Sequence, residues 1–242
     1  MGIIYGKNPV LEAISSGTTI NKIYAQTSNK EIDSVIKEAL KRKIIVVNTD
    51  KQKLDKMIDG KNSQGIIASI TDFKYSEVSE IIEYAKSKSE LPFIVILDKI
   101  EDPHNLGAII RSCECMGVHG VIIQKRNACQ ITDTVEKVAA GACSYVKVAR
   151  VTNITESIKE LKKNGLWIYG LDMNGESEVY NTKLEGAIGI VVGNEGSGIS
   201  RLVKENCDAL MKIPMTGKIN SLNASVSAAI TIYEVVRQKN IK

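Results

Sequence analysis

Three short segments of the chain are rich in asparagine, serine, glycine and isolated charges, and each follows a predicted strand. They cover residues 98–111, 193–198 and 213–226. Ligands of open α/β sheets bind beyond the carboxyl ends of the strands. The three segments are therefore the candidates for a functional site.

The first segment combines polar side chains with the start of a predicted helix. Asn105 is a candidate cap for that helix. Arg111 lies seven residues after His104, so both side chains point away from the apolar stripe of the helix. An asparagine and an arginine directed to one place suit the binding of a phosphate group. An exposed arginine on a capped helix is the alternative, and His104 is interpreted as a loop residue rather than as an acid–base group.

The second segment is the sequence Gly-Asn-Glu-Gly-Ser-Gly at 193–198. Glycines let the backbone approach a ligand closely and offer N–H donors. The order of the glycines differs from the fingerprint of dinucleotide-binding proteins, and the Gly-Lys-Ser/Thr ending of a phosphate-binding Walker loop is missing. The pattern therefore argues against a nicotinamide-dependent oxidoreductase, and a tight strand-to-helix turn is an equally good explanation.

The third segment precedes a predicted C-terminal helix over 222–237, which Asn220 or Ser221 would cap. The N-terminus of a helix can hold an anion such as a carboxylate. Simple capping explains one polar side chain here, but not all four of Asn220, Ser221, Asn223 and Ser225. The segment is therefore a candidate binding site.

Alternating strand and helix patterns predict a small α/β domain over residues 1–71. The predicted helices cover 8–14, 31–42 and 50–58, and the predicted strands cover 20–25, 44–47 and 65–70. The run at 44–47 is apolar and β-branched throughout, which predicts a buried strand. The domain carries 11 basic and 7 acidic side chains, so it is the part of the chain best suited to hold a polyanion.

Residues 72–90 are interpreted as a linker, because their helical pattern has few strong core residues. A second series of elements fills residues 91–242 and predicts a largely parallel sheet covered on both faces. Its predicted strands cover 93–97, 120–123, 145–148, 166–171, 188–192 and 210–213, and its predicted helices cover 105–116, 132–140, 154–163, 200–206 and 222–237. The last helix is predicted to have one apolar face, formed by Leu222, Val226, Ala229, Ile230 and Tyr233.

Composition excludes several classes of protein. The 242 residues are 43% hydrophobic and 25% charged, as in an ordinary packed protein. No apolar run approaches the roughly 20 residues that cross a membrane, and residues 1–11 lack the pattern of a signal peptide. Five cysteines without a C-x-x-C pair, together with two histidines, favour neither a disulfide framework nor a metal site. We expect a cytoplasmic protein whose net charge of +4 permits a polyanionic partner.

Taken together, the three segments resemble the SpoU (TrmH-type) RNA 2′-O-ribose methyltransferases of the SPOUT superfamily, and most closely the RlmB-like 23S rRNA guanosine methyltransferases. The matching stretches are D-P-H-N-L-G at 102–107 with Arg111, G-N-E-G at 193–196, I-P-M at 213–215 and S-L-N-A-S-V at 221–226. The resemblance covers nearly all of 91–242. Residues 5–10 and the Ser-Gln-Gly turn at 63–65 look like the substrate-binding domain of the same family, which is similar in fold to ribosomal protein L30e.

The resemblance implies a C-terminal parallel sheet tied into a deep trefoil knot, against the general rule for protein chains. It also implies S-adenosylmethionine as cofactor, no metal, and a homodimer formed through the catalytic domain. By motif, the implied cofactor-binding residues are Leu171, Gly193, Gly196, Ile213, Met215 and Leu222. The implied reaction centre consists of Asn105, Arg111, Glu195, Ser221 and Asn223. Asn194 departs from the pattern, since many relatives have alanine there.

The implied reaction is methylation of a ribose 2′-hydroxyl, of a guanosine in 23S rRNA. A 2′-hydroxyl is weakly acidic, and an arginine stays protonated under nearly all conditions. We therefore expect Arg111 to hold the neighbouring phosphate and to stabilise the alkoxide, with transient base action as the alternative. A tRNA substrate is disfavoured by the N-terminal domain. A non-catalytic RNA-binding protein is disfavoured by the intact set of Arg111, Glu195, Ser221 and Asn223.

Overall fold

The computed structural model describes residues 2–71, 73–219 and 221–240. The chain divides into two compact units, residues 1–74 and 75–242. Each unit has its own sheet and its own hydrophobic core. This architecture confirms the predicted fold class of a small N-terminal α/β domain and a C-terminal parallel sheet.

The first unit is a four-stranded sheet with the order β1-β4-β2-β3. Its strands are β1 (Gly2–Tyr5), β2 (Ile20–Ala25), β3 (Val46–Asn48) and β4 (Ile66–Ile70), and its helices are α1 (Lys7–Ser15), α2 (Asp33–Lys41) and α3 (Lys51–Met57). Strand β4 is antiparallel to β1 and β2, whereas β2 and β3 are parallel. Strand β1 was not predicted, because four residues at a chain end show no period.

Strand β3 differs from the prediction of a buried strand over 44–47. It comprises only Val46–Asn48, and its first two residues are half-buried. Within the described sheet it pairs with β2 alone and lies at the edge. The apolar β-branched run therefore predicted the presence of a strand correctly, but it predicted a more deeply buried strand than the structure shows.

The second unit is a seven-stranded sheet with the order β7-β6-β5-β10-β8-β11-β9, in which all paired strands are parallel. The strands are β5 (Phe93–Asp98), β6 (Gly120–Gln124), β7 (Lys147–Val151), β8 (Trp167–Leu171), β9 (Ser177–Glu178), β10 (Ile188–Gly193) and β11 (Ala209–Lys212). The helices are α4 (Val78–Ser87), α5 (Pro103–Cys115), α6 (Asp133–Ala139), α7 (Ile154–Lys163), α8 (Arg201–Asn206) and α9 (Ala224–Asn240). The late strand β10 lies between β5 and β8, and the trefoil knot stays a prediction.

The segment 72–90 is not simply a linker, which corrects the prediction made from its composition. Residues 75–90 belong to the second unit. Helix α4 buries Val78, Ile81, Ile82 and Ala85, which share one face at helical spacing. The first three belong to a hydrophobic core cluster of the second unit. Four apolar positions in a charged helix are thus enough to dock it, because they all face the core.

Helix α9 buries a different face from the predicted one. Its buried residues are Ala224, Ala228, Thr231, Ile232, Glu234 and Val235. Three residues of the predicted apolar face are exposed instead, with Val226 at 45%, Ile230 at 40% and Tyr233 at 58% exposure. The other two, Leu222 and Ala229, are half-buried. The core-facing side mixes Ala228 and Thr231 with Ile232 and Val235, so hydrophobicity alone does not rank it above the outer face.

His119 has a structural role at the start of β6, as its position in the sequence predicted. The imidazole is buried. Its Nδ1 accepts a hydrogen bond from the backbone N–H of Phe93 at 3.0 Å, so the proton is on Nε2, which donates to Glu90 Oε2 at 3.0 Å. Burial lowers the pKa of His119 below its ordinary value, although Glu90 opposes the shift.

We expect the free energy of unfolding to decrease as the pH falls below the ordinary histidine pKa of about 6.5. In that range the unfolded chain binds a proton that the folded chain, with its lowered pKa, still excludes. Urea unfolding at pH 7.5 and 5.5 measures the difference. His119→Gln should reduce the pH dependence and His104→Gln should leave it intact, whereas equal slopes for wild type and His119→Gln would contradict the assignment.

Candidate active site

The first segment begins with a capped helix. The Asp102 carboxylate accepts a hydrogen bond from the N–H of His104 at 3.0 Å, and Pro103 occupies the first helical position. The predicted cap, Asn105, instead lies in the first turn of α5 and is only 5% exposed. Because Asp102 caps the helix, the amide of Asn105 is available for other contacts.

The second segment is a turn held together by Asn194. Its Oδ1 accepts from the N–H groups of Gly196 at 2.9 Å and Ser197 at 3.4 Å, and its carbonyl accepts from the N–H of Gly198 at 2.8 Å. Its Nδ2 donates to the carbonyl oxygen of Lys99 at 3.1 Å. An asparagine, unlike an alanine, thus ties this glycine-rich turn to the loop after β5.

Gly193 is required by the fold of its own chain. A Cβ on Gly193 would lie 2.2–2.4 Å from backbone atoms of Gly198 and Ile199. Close approach of the backbone was predicted for this segment, with a ligand as its partner. The nearest partner is the backbone of the returning turn, so any side chain at 193 would displace the turn itself.

Asn223 caps α9, which corrects the prediction of Asn220 or Ser221. Its Oδ1 accepts from the N–H of Ser225 at 2.9 Å and from the Ser225 hydroxyl at 2.6 Å. Its backbone carbonyl accepts from the N–H of Ser227 at 3.0 Å, as expected of an N-cap residue. Ser221 lies two residues before this cap and is exposed, and Asn220 lies outside the described residues.

Three side chains, one from each segment, meet in an amide–carboxylate cluster of Asn105, Glu195 and Asn223. Asn223 Nδ2 donates to Asn105 Oδ1 at 2.9 Å and approaches Glu195 Oε1 at 3.4 Å. Asn105 Nδ2 donates to the same Glu195 oxygen. The cluster therefore orients one carboxylate through two amides that are themselves fixed by helix starts.

A cavity opens beside this cluster. The empty space inside it is about 870 Å³ when the open mouth is included. It is lined by all six predicted cofactor-binding residues, namely Leu171, Gly193, Gly196, Ile213, Met215 and Leu222, and also by Glu195 and Ser221. Four further lining residues, Asn194, Ser197, Gly198 and Ala224, lie in the candidate segments but were given no cofactor role. Sequence reasoning missed the lining residues outside the segments: Asp172, Met173, Asn174, Val192, Lys204 and Ser227.

Two of the missed residues form an ion pair in the wall of the cavity. Asp172 directly follows β8, the position at which a polar residue could have been singled out by the strand-end rule. Lys204 from α8 pairs with its carboxylate. Burial opposes the charged form of Asp172, but hydrogen bonds from Lys204 and from the N–H of Asn174 hold the pKa of Asp172 below its ordinary value.

Arg111 is not brought into contact with the cluster. It is exposed on α5, six residues after Asn105. Within residues 2–71, 73–219 and 221–240 it forms neither a hydrogen bond nor an ion pair with Asn105, Glu195 or Asn223. Its guanidinium therefore faces solvent, where a phosphate could reach it.

Two further features concern metal binding and membrane-spanning helices among the described residues. No group of three or more histidine, cysteine, aspartate or glutamate side chains among them is arranged to hold a metal ion. No helix in that part of the chain is long and apolar enough to cross a membrane.

Comparison with known proteins places this fold and site in a class of RNA-modifying enzymes. Residues 92–233 match the SpoU rRNA Methylase family, and residues 3–76 match the substrate-binding domain of RNA 2′-O ribose methyltransferases. The chain belongs to the SpoU methylase family. The resemblance to the SpoU family, inferred from the three segments, is thereby confirmed. The closer resemblance to RlmB-like enzymes stays a prediction.

Relatives match along almost the whole chain. YacO of Bacillus subtilis (strain 168), assigned to the TrmH family of tRNA/rRNA methyltransferases, is 40% identical over 239 residues, which cover 98% of this chain and 96% of that protein. A TrmH-family relative from Staphylococcus aureus (strain MSSA476) is 43% identical over 240 residues, with the same coverage of 98% and 96%.

Solved structures share the fold. The SpoU methyltransferase AviRb from Streptomyces viridochromogenes, in complex with AdoMet, superposes with a TM-score of 0.63 at 20% identity over 98% of this chain and 90% of its own. The A. aeolicus TrmH/SpoU tRNA modifying enzyme has a TM-score of 0.57 at 28% identity and covers 67% of this chain and 84% of its own.

Proposed function

We propose that the protein transfers a methyl group from S-adenosylmethionine to the ribose 2′-hydroxyl of a guanosine in 23S rRNA. One observation carries the proposal. Glu195 lines the cavity and is also hydrogen-bonded to Asn105 and Asn223. The cofactor pocket and the reaction centre are therefore continuous, as methyl transfer between two bound reactants requires.

The cavity fits S-adenosylmethionine. Leu171, Ile213 and Leu222 offer apolar surface for the adenine ring. The Glu195 carboxylate has the charge opposite to that of a sulfonium. When bound, S-adenosylmethionine supplies its methyl group as the electrophile.

The reaction centre orients the second reactant. Arg111 binds the phosphate beside the target ribose and stabilises negative charge on the 2′-oxygen, because its guanidinium stays protonated and is exposed on α5. Asn105 and Asn223 hold the Glu195 carboxylate in one orientation through their amide groups. Each residue has a positional or electrostatic role, so the 2′-hydroxyl proton passes to solvent water as the O–C bond forms and the S–C bond breaks. Alignment of the reactants supplies several kcal/mol of the rate enhancement.

An rRNA substrate is favoured over tRNA by the first unit. Residues 3–76 match a substrate-binding domain, whereas the tRNA-modifying enzyme of A. aeolicus covers only 67% of this chain. The first unit also carries the basic excess of the chain, 11 positive against 7 negative side chains over residues 1–71. We infer that it holds the rRNA.

Mapping of ribose methylation in a strain that lacks the gene tests the proposal. One guanosine of 23S rRNA should lose its methyl group, and a plasmid copy of the gene should restore it. The same mapping applied to total tRNA is the second arm of the experiment. A change confined to tRNA would show that the substrate is tRNA. No change in either RNA would contradict the proposed methyltransferase activity.

We also propose that the exposed face of α9 pairs with a second copy of the chain. Val226, Ile230 and Tyr233 form an apolar stripe at helical spacing, and a stripe of this kind marks an interaction surface. Ile230→Lys combined with Tyr233→Lys should convert a dimer into a monomer in light scattering after gel filtration. Leu202→Lys, at another exposed apolar position on α8, should leave the dimer intact. A wild-type protein that stays monomeric would refute the pairing.

A further inference from the structure

The ion pair of Asp172 and Lys204 lies in the cavity wall, but it takes no part in the amide–carboxylate cluster. Asp172 is 8% exposed, and the Lys204 side chain is 32% exposed. Both residues line the cavity. A buried ion pair is weak evidence for stability alone, because its desolvation offsets much of its attraction. Its place in a ligand cavity therefore raises the question of what it recognises.

The pair keeps hydrogen-bonding capacity toward the cavity. Asp172 Oδ1 accepts from the N–H of Asn174 at 2.9 Å, and its other oxygen accepts from Lys204. A carboxylate has about four acceptor positions and an ammonium has three N–H groups. Gly198 faces this carboxylate without a side chain, and even a Cβ there would lie 4.0 Å from Asp172 Oδ2. One acceptor and one donor can thus face a ligand side by side.

The sheet order separates the pair from the cluster. Strand β10 lies between β5 and β8. Glu195 follows β10 and contacts Asn105, on the helix after β5, whereas Asp172 follows β8 on the other side of β10. The cavity therefore extends from the cluster past the end of β10 to the pair. A ligand that presents its reactive group to Glu195 can place a second polar group against Asp172 and Lys204.

The charge of the pair selects that second group. Asp172 and Lys204 neutralise each other, so a charged ligand group would have to compete with the internal partner. Neutral hydroxyls require no such exchange, and two adjacent hydroxyls can donate to the carboxylate and accept from the ammonium together. We propose that Asp172 and Lys204 bind the 2′,3′-diol of the cofactor ribose, an inference that rests on S-adenosylmethionine as the cofactor.

Calorimetric binding of nucleoside ligands tests the assignment. The ligands are S-adenosylhomocysteine, 5′-methylthioadenosine, which lacks the amino-acid tail, and the 2′-deoxy form of 5′-methylthioadenosine. The variant is Asp172→Asn with Lys204→Met, which removes both charges and leaves neither side chain as an unpaired ion. Loss of hydrogen bonds to charged groups should weaken the binding of S-adenosylhomocysteine and 5′-methylthioadenosine alike, by about tenfold or more.

The deoxy ligand completes a double-mutant cycle. Wild-type protein should bind it more weakly than 5′-methylthioadenosine, and the variant should bind both with equal affinity. The matched control is Lys162→Met with Asp208→Asn, which removes another partly buried pair (2.7 Å) outside the cavity lining and should not change binding. Thermal unfolding checks the fold, and Lys204→Met alone replaces the double variant if the latter does not fold.

Three results would overturn the proposal. The variant could retain wild-type affinity for 5′-methylthioadenosine, which removes the pair from the nucleoside site. The variant could lose affinity for S-adenosylhomocysteine alone, which would show that the pair binds the amino-acid end of the cofactor and not its ribose. Wild-type protein that binds none of the ligands would refute the cofactor, and the ribose assignment with it.

Discussion

Replacement of Arg111 with alanine should lower the rate of methyl transfer by roughly 10²- to 10³-fold, the loss typical for removal of a group that stabilises a developing oxyanion. The affinity for S-adenosylhomocysteine should stay nearly unchanged, because Arg111 does not line the cavity. Single-turnover rates with saturating cofactor and an rRNA fragment measure the first effect. Calorimetry measures the second.

Two further variants test whether the effect depends on the guanidinium group of Arg111. Arg111→Lys keeps the charge but not the planar guanidinium and should recover only part of the rate. Arg201→Ala removes an exposed arginine whose partner is Glu205 at 3.6 Å, and it should behave as wild type. Near-normal turnover of Arg111→Ala would exclude Arg111 from the mechanism.

Deletion of residues 1–74 should leave a folded protein that binds cofactor but methylates rRNA at least about tenfold more slowly at limiting RNA. The remaining unit contains the whole seven-stranded sheet, the cavity and α4. The deleted unit carries the net positive charge, and neutralisation of phosphates supplies much of the affinity for nucleic acid. Equal rates for both proteins at matched salt would show that the first unit does not hold the substrate.

A shorter fragment that begins at Glu90 should not fold, although it retains every motif of the site. It lacks α4, which buries Val78, Ile81 and Ile82 in the core. Each such side chain contributes about 1.5–3 kcal/mol on burial, and a domain has only about 5–15 kcal/mol of stability in total. Circular dichroism and cofactor binding of the two fragments provide the comparison. Cooperative unfolding of the shorter one would refute the role of α4.

The order and type of most elements could be predicted because their periodicity is strong. Strand β2 begins and ends as predicted, as does α7. Periodicity did not predict which face of a helix is buried when two faces are similarly apolar. In α9, Ala228, Ile232 and Val235 face the core, whereas Val226, Ile230 and Tyr233 face outward. One chain's sequence cannot show which apolar stripe meets the sheet, because the other surface is equally apolar.

Part of the cavity lining was predictable from the sequence, but its geometry was not. The three segments contain the cavity-lining residues around Gly193 and Leu222, because polar loops at the strand ends of a parallel sheet converge. The capping residues were predicted wrongly because several residues that can cap a helix are neighbours in the sequence. The observed caps are Asp102 instead of Asn105 and Asn223 instead of Ser221. The Asp172 and Lys204 pair joins residues 32 positions apart. The strand-end rule points to Asp172 but not to Lys204 as its partner.

Asn223 combines the cap of α9 with a place in the amide–carboxylate cluster, and this limits the residues that evolution can accept there. Serine, threonine, aspartate and asparagine all cap helices well. Only asparagine among them also carries an amide N–H₂ that can donate to a second oxygen. Aspartate would place a second negative charge 3.4 Å from Glu195, and serine would be too short. Substitution at this position should therefore be almost absent, even though an ordinary helix cap can exchange among serine, threonine, aspartate and asparagine at little cost.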